Sequence, residues 1–227
     1  TVGVLLHGYG SLDPAFDISK TGYTATTMIV LIGFYTWGIL GTSAGHWPWV
    51  DLGLKQPWVA IAEFFFGFFL TLFLYIVLIY PSVASWTSPE HMVLPLTTVI
   101  GWFYSVILSW LTIFLIFDNW PWTAFGSRAR TAIAALVGNF IIGTGIYFAF
   151  LALLKGGLVP EAAQISLEGA INVWPAQLGV CIAFWLIAWG NVVGNPPTSF
   201  GPLVNRSIRL VVTYGLGLAT FVAYTRW

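Results

Sequence analysis

The sequence predicts an all-α integral membrane protein with six transmembrane helices, arranged as three tandem helical hairpins of about 75 residues each. The composition is the first reason, because 58% of the residues are hydrophobic and only 7% are charged, against about 25% charged in soluble domains. The second is a turn motif that recurs between long apolar runs. We treat residues 1–227 as one polytopic membrane domain with repeat units at approximately 1–80, 81–155 and 156–227.

The turn motif is clearest at 119–126, which reads NWPWTAFG, and an earlier copy at 46–53 reads HWPWVDLG. A spacing of 73 residues matches these two copies, and a spacing of 75 matches the second to a third copy at 195–201, NPPTSFG. Proline cannot extend the preceding helix, and tryptophan favours the headgroup region of a bilayer. We therefore interpret the copies as interfacial turns, with these repeated residues: Trp47, Pro48, Trp49, Trp120, Pro121, Trp122, Pro196 and Pro197.

Six apolar runs are long enough to cross the hydrocarbon core, which takes about 20 residues of helix. The runs do not alternate between polar and apolar residues as the strands of a membrane barrel do, so we expect helices. We also expect a short surface helix at 161–169. The predicted spans are 24–45, 56–80, 92–117, 131–154, 174–193 and 207–224.

The distribution of lysine and arginine predicts the orientation. The loops inside the hairpins contain five of these residues, Lys55, Arg128, Arg130, Arg206 and Arg209. The opposite side contains three, Lys20, Lys155 and Arg226. This bias places the Trp-Pro turns in the cytoplasm and both termini outside. The chain begins at Thr1 rather than at methionine, which suggests a removed leader or missing residues, and a leader agrees with an external N-terminus.

Three polar side chains inside the predicted spans form a candidate intramembrane site. Glu63 is the strongest candidate, because placing an ionisable residue within a span costs several kcal/mol of free energy unless the residue is paired or hydrated. Two alternatives are a protonated Glu63 that bonds a neighbouring helix and a carboxylate that reaches the headgroups. Asn139 and Asn191 are the next candidates, and a buried amide of this kind commonly bridges two helices.

Other chemistry finds little support in the sequence. His7, His46 and His91 lie at or beyond the span ends, so neither an internal haem nor a metal site is predicted. Cys181 is the single cysteine and excludes an internal disulfide. Asp118 precedes the second turn, where we expect an interfacial ion pair with Arg128 or Arg130. The zero formal net charge gives no indication of nucleic-acid binding.

Two functions remain open. A small-solute transporter or channel is favoured by the repeats, the glycine-rich even-numbered helices and Glu63. The alternative is a membrane subunit of a larger redox or other complex, which anchors its partners or contacts lipid or quinone. No catalytic motif is present, so an enzyme acting alone is not expected. We identify no cofactor, expect bound lipid, and expect the bilayer, other membrane subunits or a second copy of the chain as partners.

The layout of three two-helix repeats is similar to that of mitochondrial carriers. That family is known for a Pro-x-acid-x-x-base motif on its odd-numbered helices, and no odd-numbered span here contains it. The resemblance is therefore architectural, and no function follows from it.

Overall fold

The structure is a computed structural model that describes residues 25–78, 94–159, 161 and 171–226. The chain divides into two compact units, with the boundary between Val99 and Ile100. The described part of the chain consists of helices joined by turns and short irregular connections, and it contains no strand. The N-terminal segment with His7, the connection with His91, and most of the predicted surface helix at 161–169 lie outside the described residues.

Six principal helices follow one another along the chain. In unit one, α1 continues into a π-helical segment, Ile39–Ser43, before α2 begins. Most of α3 and all later helices belong to unit two, where π-helical segments also extend α4 (Leu154–Leu158) and α5 (Ala188–Val192). The bounds are α1 Ala25–Gly38, α2 Trp58–Leu78, α3 Leu96–Leu115, α4 Arg128–Leu153, α5 Trp174–Ile187 and α6 Pro202–Arg226.

These helices are consistent with an α-helical membrane protein. Among the described residues, five helical segments are long and apolar enough to cross a bilayer, and α1 contributes the shorter apolar segment Met28–Ser43. On α2, most of the large apolar side chains are exposed, as a lipid-facing helix requires. Each of the six predicted runs thus overlaps one of the six helices.

The predicted starts of α4 and α6 are wrong by a few residues. We expected α4 to begin at residue 131, but it begins at Arg128, because the Ser127 hydroxyl accepts a hydrogen bond from the Arg130 N–H and caps the helix. We expected α6 at 207, but it begins at Pro202, a residue well suited to the first helical position. In both cases basic residues that we had assigned to a loop form the first turns of the helix.

The three turns share a backbone conformation at the end of the preceding helix. In each, two consecutive residues have positive φ, and the N–H of the second bonds a carbonyl six residues earlier. The pairs are Gly45–His46, Asp118–Asn119 and Gly194–Asn195, and the acceptors are Leu40, Ile113 and Trp189, at 3.0, 3.0 and 2.9 Å. These features match at spacings of 73 and 76 residues, so the third turn lies one residue later than the spacing of 75 predicts. Cis peptide bonds precede Pro48, Pro57, Pro121 and Pro197.

Glycine permits the closest helix contact in the hairpin of α3 and α4. An ideal Cβ on Gly143 of α4 would lie 2.5 Å from the Cα of Val106 on α3, far inside van der Waals contact. Gly217 of α6 faces Ile182 of α5 in the same way, with 2.6 Å to the Ile182 Cα. Two of the glycines in these helices therefore serve packing, as small residues commonly do between membrane helices.

The second and third turns contact each other within unit two. The Asn195 side chain donates a hydrogen bond of 2.8 Å to the carbonyl of Leu115, at the end of α3. The Arg206 guanidinium of α6 lies 3.2 Å from the Asp118 carboxylate. The ion pair predicted for Asp118 is thus present, but its partner comes from the third hairpin, because the two turns meet at the same end of this unit.

Candidate functional site

Glu63 is paired with His46 in unit one. The Nδ1 atom of His46 lies 2.9 Å from Oε1 and 3.0 Å from Oε2 of Glu63. The carboxylate side chain is 15% exposed and the imidazole 44% exposed. An ionised carboxylate only accepts hydrogen bonds, so with Glu63 ionised the Nδ1 atom of His46 carries the proton.

The hairpin geometry brings these two residues together. His46 is the second positive-φ residue after α1, so its side chain turns back toward the start of α2, where Glu63 lies in the second helical turn. Trp37 of α1 fixes the same region, since its indole Nε1 donates a 3.3 Å hydrogen bond to the Glu63 carbonyl. The indole also rests on Gly67, where an added Cβ would collide with it.

The pair makes a carboxylate-oriented imidazole at one end of unit one. A carboxylate on Nδ1 fixes the ring and its tautomer, which leaves Nε2 to act as a base or a ligand. Sequence reasoning missed this pairing, because it sought a partner for Glu63 inside the other spans. The available signal was the position of His46 directly after one span with Glu63 early in the next.

Asn139 is fully buried between α3 and α4. The Ser109 hydroxyl lies 3.0 Å from both the carbonyl oxygen and the Oδ1 of Asn139, so the amide bridges the two helices. The Asn139 Nδ2 has no hydrogen-bond partner within the described part of the chain. Nearby, the Trp102 indole donates a 2.8 Å hydrogen bond to Thr144 across the same helix pair.

Asn191 has a different setting from the other two candidates. It is exposed, and it lies in the π-helical extension of α5. Glu63 bonds His46 within unit one, and Asn139 bonds Ser109 within unit two. A common intramembrane site formed by the three residues stays a prediction.

The tryptophans of the turns differ in burial. Trp122 is 8% exposed and packs on Gly138 of α4, whereas Trp120 is 52% exposed. Trp49 makes an edge-to-face contact with Phe66 at the start of α2. The buried indole nitrogens of Trp49 and Trp122 have no partner among the described residues. Trp49 and Trp122 thus pack the first and second turns onto the helices that follow them.

An open cavity of about 630 Å³ lies within unit two. Its volume falls in the range of pockets that bind small organic ligands. Its walls come from three helices and from the second turn. Ser109, Thr112, Ile113 and Phe117 contribute from α3 and its end, Trp120 and Pro121 from the turn, Ile142 and Ile146 from α4, and Leu210, Val211 and Tyr214 from α6.

The polar residues of this wall are hydrogen-bonded to the protein. Thr112 donates to the carbonyl of Leu108 at 2.8 Å, so its single hydroxyl proton is used. The 2.8 Å contact between Thr112 and Tyr214 is therefore donated by the tyrosine. The third polar residue, Ser109, has acceptors of both α3 and α4 at 3.0 Å for its single hydroxyl proton. The cavity consequently offers its occupant an almost wholly apolar surface.

Charged residues border one end of the cavity. Asp118 follows Phe117 and precedes Trp120, which both line it, and Arg206 lies one helical turn before Leu210 on α6. The Arg206–Asp118 ion pair, at 3.2 Å, is thus placed at this end, which we call the mouth. Sequence analysis did not find the cavity, because its walls come from helices separated by about 100 residues in the chain.

No three acidic, cysteine or histidine side chains of the described residues are grouped so that they could hold a metal ion. No protein-family model matches the sequence, and no curated protein or solved structure matches the chain.

Proposed function

We propose that this membrane protein binds one amphiphilic, lipid-like molecule in the cavity of unit two and serves as a lipid-contacting membrane subunit. The cavity carries this proposal, because it is large and apolar and has the Arg206–Asp118 ion pair at its mouth. A hydrocarbon chain suits the interior, and a polar headgroup suits the mouth. The proposal follows the lipid-contacting alternative of the sequence analysis.

The hydrogen bonds made by the hydroxyl groups of the cavity wall support a hydrocarbon occupant. Thr112, Tyr214 and Ser109 have donated their hydroxyl protons to protein acceptors, so none remains for a ligand carbonyl without breaking an existing bond. A ligand carbonyl placed there would lose its hydration without a replacement donor, at a cost of about 1–3 kcal/mol. A chain of methylene groups loses nothing of this kind. Along α3, from Ser109 to Phe117, the wall extends about 12 Å.

Transport or channel activity receives less support from the polar groups. Most buried hydroxyls of the described residues bond carbonyls of their own helix, including Thr71 to Gly67 at 2.6 Å and Thr213 to Arg209 at 2.8 Å. A hydroxyl bonded in this way has no unused proton to donate to a solute. Glu63, the main argument for transport, bonds His46 at the end of α1.

The bilayer is the partner that the exposed surface supports. The α2 helix exposes a dense set of aromatic side chains, and Phe69 and Phe73 are 65% and 61% exposed. Such a surface requires lipid or another apolar partner. Association with other membrane subunits, or with a second copy, remains part of this proposal.

We also propose that the three hairpins are tandem repeats. The matching φ angles and helix-end hydrogen bonds of the turns support this. So do three threonines at spacings of 73 and 76 residues on the even-numbered helices. Each takes part in a 2.8 Å hydrogen bond across its hairpin: Thr71 with Thr36, Thr144 with Trp102, and Thr220 with Trp185.

The proposed orientation keeps the turns on the cytoplasmic side. Ala124 of the second turn and Gly156 beyond α4 are both exposed and lie at opposite ends of that helix. In a Cys181→Ala background, Ala124→Cys should react with an impermeant thiol reagent only from the cytoplasmic side, and Gly156→Cys only from the other. Reaction of both from one side contradicts the proposed crossing of α4.

The cavity is tested by filling it. Ile142→Trp places a large ring in the cavity, whereas Ile141→Trp places the same ring on the outer face, where Ile141 is 68% exposed. Each protein is purified in mild detergent and examined by native mass spectrometry for bound lipid. We expect a lipid adduct on the parent protein and on Ile141→Trp, and its loss from Ile142→Trp.

Two outcomes contradict the proposal. One is a parent protein that retains no amphiphile, even when lipid is added back. The other is equal retention by the two tryptophan variants, which would place the lipid elsewhere on the surface. Gel filtration confirms that both variants remain a single species before the lipid is compared.

A further inference from the structure

We infer that the amphiphile bound in this cavity carries an anionic headgroup, which Arg206 holds at the mouth in competition with Asp118. This inference rests on the proposed function and identifies the chemical class of the ligand. It follows from where the charges lie and from how each is paired.

Arg206 is placed to meet a headgroup above the apolar walls. Leu210, one turn further along α6, lines the cavity, and Tyr214 lines it one turn deeper. Residues at this spacing lie on one face of a helix. A chain lying against Leu210 and Tyr214 therefore brings its headgroup to Arg206.

The charges at the mouth are unequal in number and in exposure. The Arg206 side chain is 25% exposed, whereas that of Asp118 is 71% exposed and open to water. Arg209 adds a second cation one turn from Arg206, and its Nη2 is bound to the Pro197 carbonyl at 2.8 Å. Arg206, Arg209 and Asp118 together carry a formal charge of +1, so Asp118 does not neutralise the two arginines.

Arg206 also has hydrogen-bonding capacity to spare. A guanidinium has five N–H donors in a planar fork that matches phosphate or carboxylate oxygens. The structure shows one hydrogen bond to another side chain from Arg206, from Nη2 to Asp118 at 3.2 Å. A headgroup phosphate can accept from this fork with the stronger, charge-assisted type of bond.

Neutral and zwitterionic headgroups fit less well. A neutral carbonyl headgroup gains little from two cations, and the cavity interior has no unused hydroxyl proton for it. A zwitterionic headgroup brings its own cation next to Arg206 and Arg209. Electrostatic complementarity therefore favours a phospholipid with a net negative headgroup.

Asp118 occupies the position that the ligand phosphate would share. Removing its charge should strengthen binding of an anionic lipid, and removing the charge of Arg206 should weaken it. An interfacial cation contributes about fivefold to the binding of an anionic lipid. The two substitutions should thus change the same quantity in opposite directions.

The experiment compares dioleoyl phosphatidylglycerol with dioleoyl phosphatidylcholine, which share their chains and differ in headgroup charge. The delipidated full chain is titrated with each lipid in mild detergent, and bound lipid is counted by native mass spectrometry. We expect the parent protein to prefer phosphatidylglycerol, Arg206→Gln to lower that preference about fivefold, and Asp118→Asn to raise it. Arg130→Gln removes an exposed cation outside the cavity and should leave it unchanged.

Each outcome bears on a different claim. Equal binding of the two lipids, abolished by Ile142→Trp, overturns the anionic headgroup while the cavity proposal stands. If Arg206→Gln and Arg130→Gln lower the preference for phosphatidylglycerol equally, the inference of an anionic headgroup at Arg206 is also overturned, because the preference would then arise from the general surface charge. Binding that Ile142→Trp leaves intact overturns the cavity proposal itself. Asp118→Asn keeps the test decisive if Arg206→Gln does not yield folded protein.

Discussion

Replacing Gly143 by alanine should destabilise the hairpin of α3 and α4, although alanine is the better helix former. The added methyl would lie 2.5 Å from the Cα and 2.7 Å from the N of Val106, where ordinary contacts are 3.4–4 Å. These are backbone atoms, so no side-chain rotation relieves the overlap. The two helices must separate by about 1 Å, which is the change that overpacking imposes on a dense core.

The size of the effect follows from two opposing terms. Overpacking of this kind costs about 1–3 kcal/mol, and helix propensity returns no more than about 1 kcal/mol. Separation of the helices also weakens the Ser109–Asn139 and Trp102–Thr144 hydrogen bonds, each worth about 0.6 kcal/mol. We expect a net loss of about 1–3 kcal/mol, which is a 5- to 150-fold change in the unfolding equilibrium.

Gly145 provides the matched control. It lies two residues away on α4, and an added Cβ would have no neighbour within 4 Å. Gly145→Ala should therefore leave the free energy of unfolding unchanged or raise it by up to about 1 kcal/mol. Both variants are unfolded with SDS in mixed micelles, and helicity is followed by circular dichroism. Equal stabilities, or a more stable Gly143→Ala, would refute the close approach of α3 and α4.

Three further experiments test other contacts by the same SDS unfolding assay. Gly217→Ala should destabilise the protein by about 1–3 kcal/mol, because the added Cβ would lie 2.6 Å from the Ile182 Cα. Gly215→Ala is the control and should not destabilise it, because the space around Gly215 is open. Similar stabilities of the two variants would contradict the packing of α5 on α6. A double-mutant cycle of His46→Asn and Glu63→Gln should give a coupling free energy of about 1 kcal/mol, because the pair is partly exposed and its energy should be intermediate between those of exposed and buried ion pairs. Additive effects of the two substitutions would show that the pair contributes no stability. Thr144→Val should cost about 0.6 kcal/mol through loss of the Trp102 hydrogen bond, and an unchanged unfolding midpoint would show that this bond is not formed.

Hydropathy located the helices well, because lipid solvation acts on each helix alone. The runs at 56–80 and 174–193 lie within a few residues of α2 and of α5 with its extension. Helix starts were less predictable, since they depend on local capping. Because α4 is capped by Ser127 and α6 begins at Pro202, the basic residues that follow lie in the first turns of these helices, although their composition alone suggests a loop.

The sites depended on tertiary geometry that one sequence does not contain. The partner of Glu63 lies in a turn whose positive φ aims the His46 side chain back at α2. The cavity requires α3, α4 and α6 together, and the partner of Asp118 lies 88 residues away along the chain. Charge counting can predict that Arg206 lies near an interface, but it cannot predict which acid or which cavity it borders.

A comparison of the three turns suggests why His46 and Glu63 occur together. The second positive-φ residue is His46 in the first turn, Asn119 in the second and Asn195 in the third. Asparagine and histidine are both among the residues that tolerate this conformation, so the backbone alone does not require histidine. At spacings of 73 and 76, the positions that match Glu63 are Leu136 and Val212, which cannot accept a hydrogen bond from a side chain. The imidazole and the carboxylate are thus present in the same hairpin, 2.9 Å apart, and are replaced together in the other two. A residue that served only to end α1 would not need a carboxylate partner, so the His46–Glu63 pair is a feature that distinguishes the first turn from the other two.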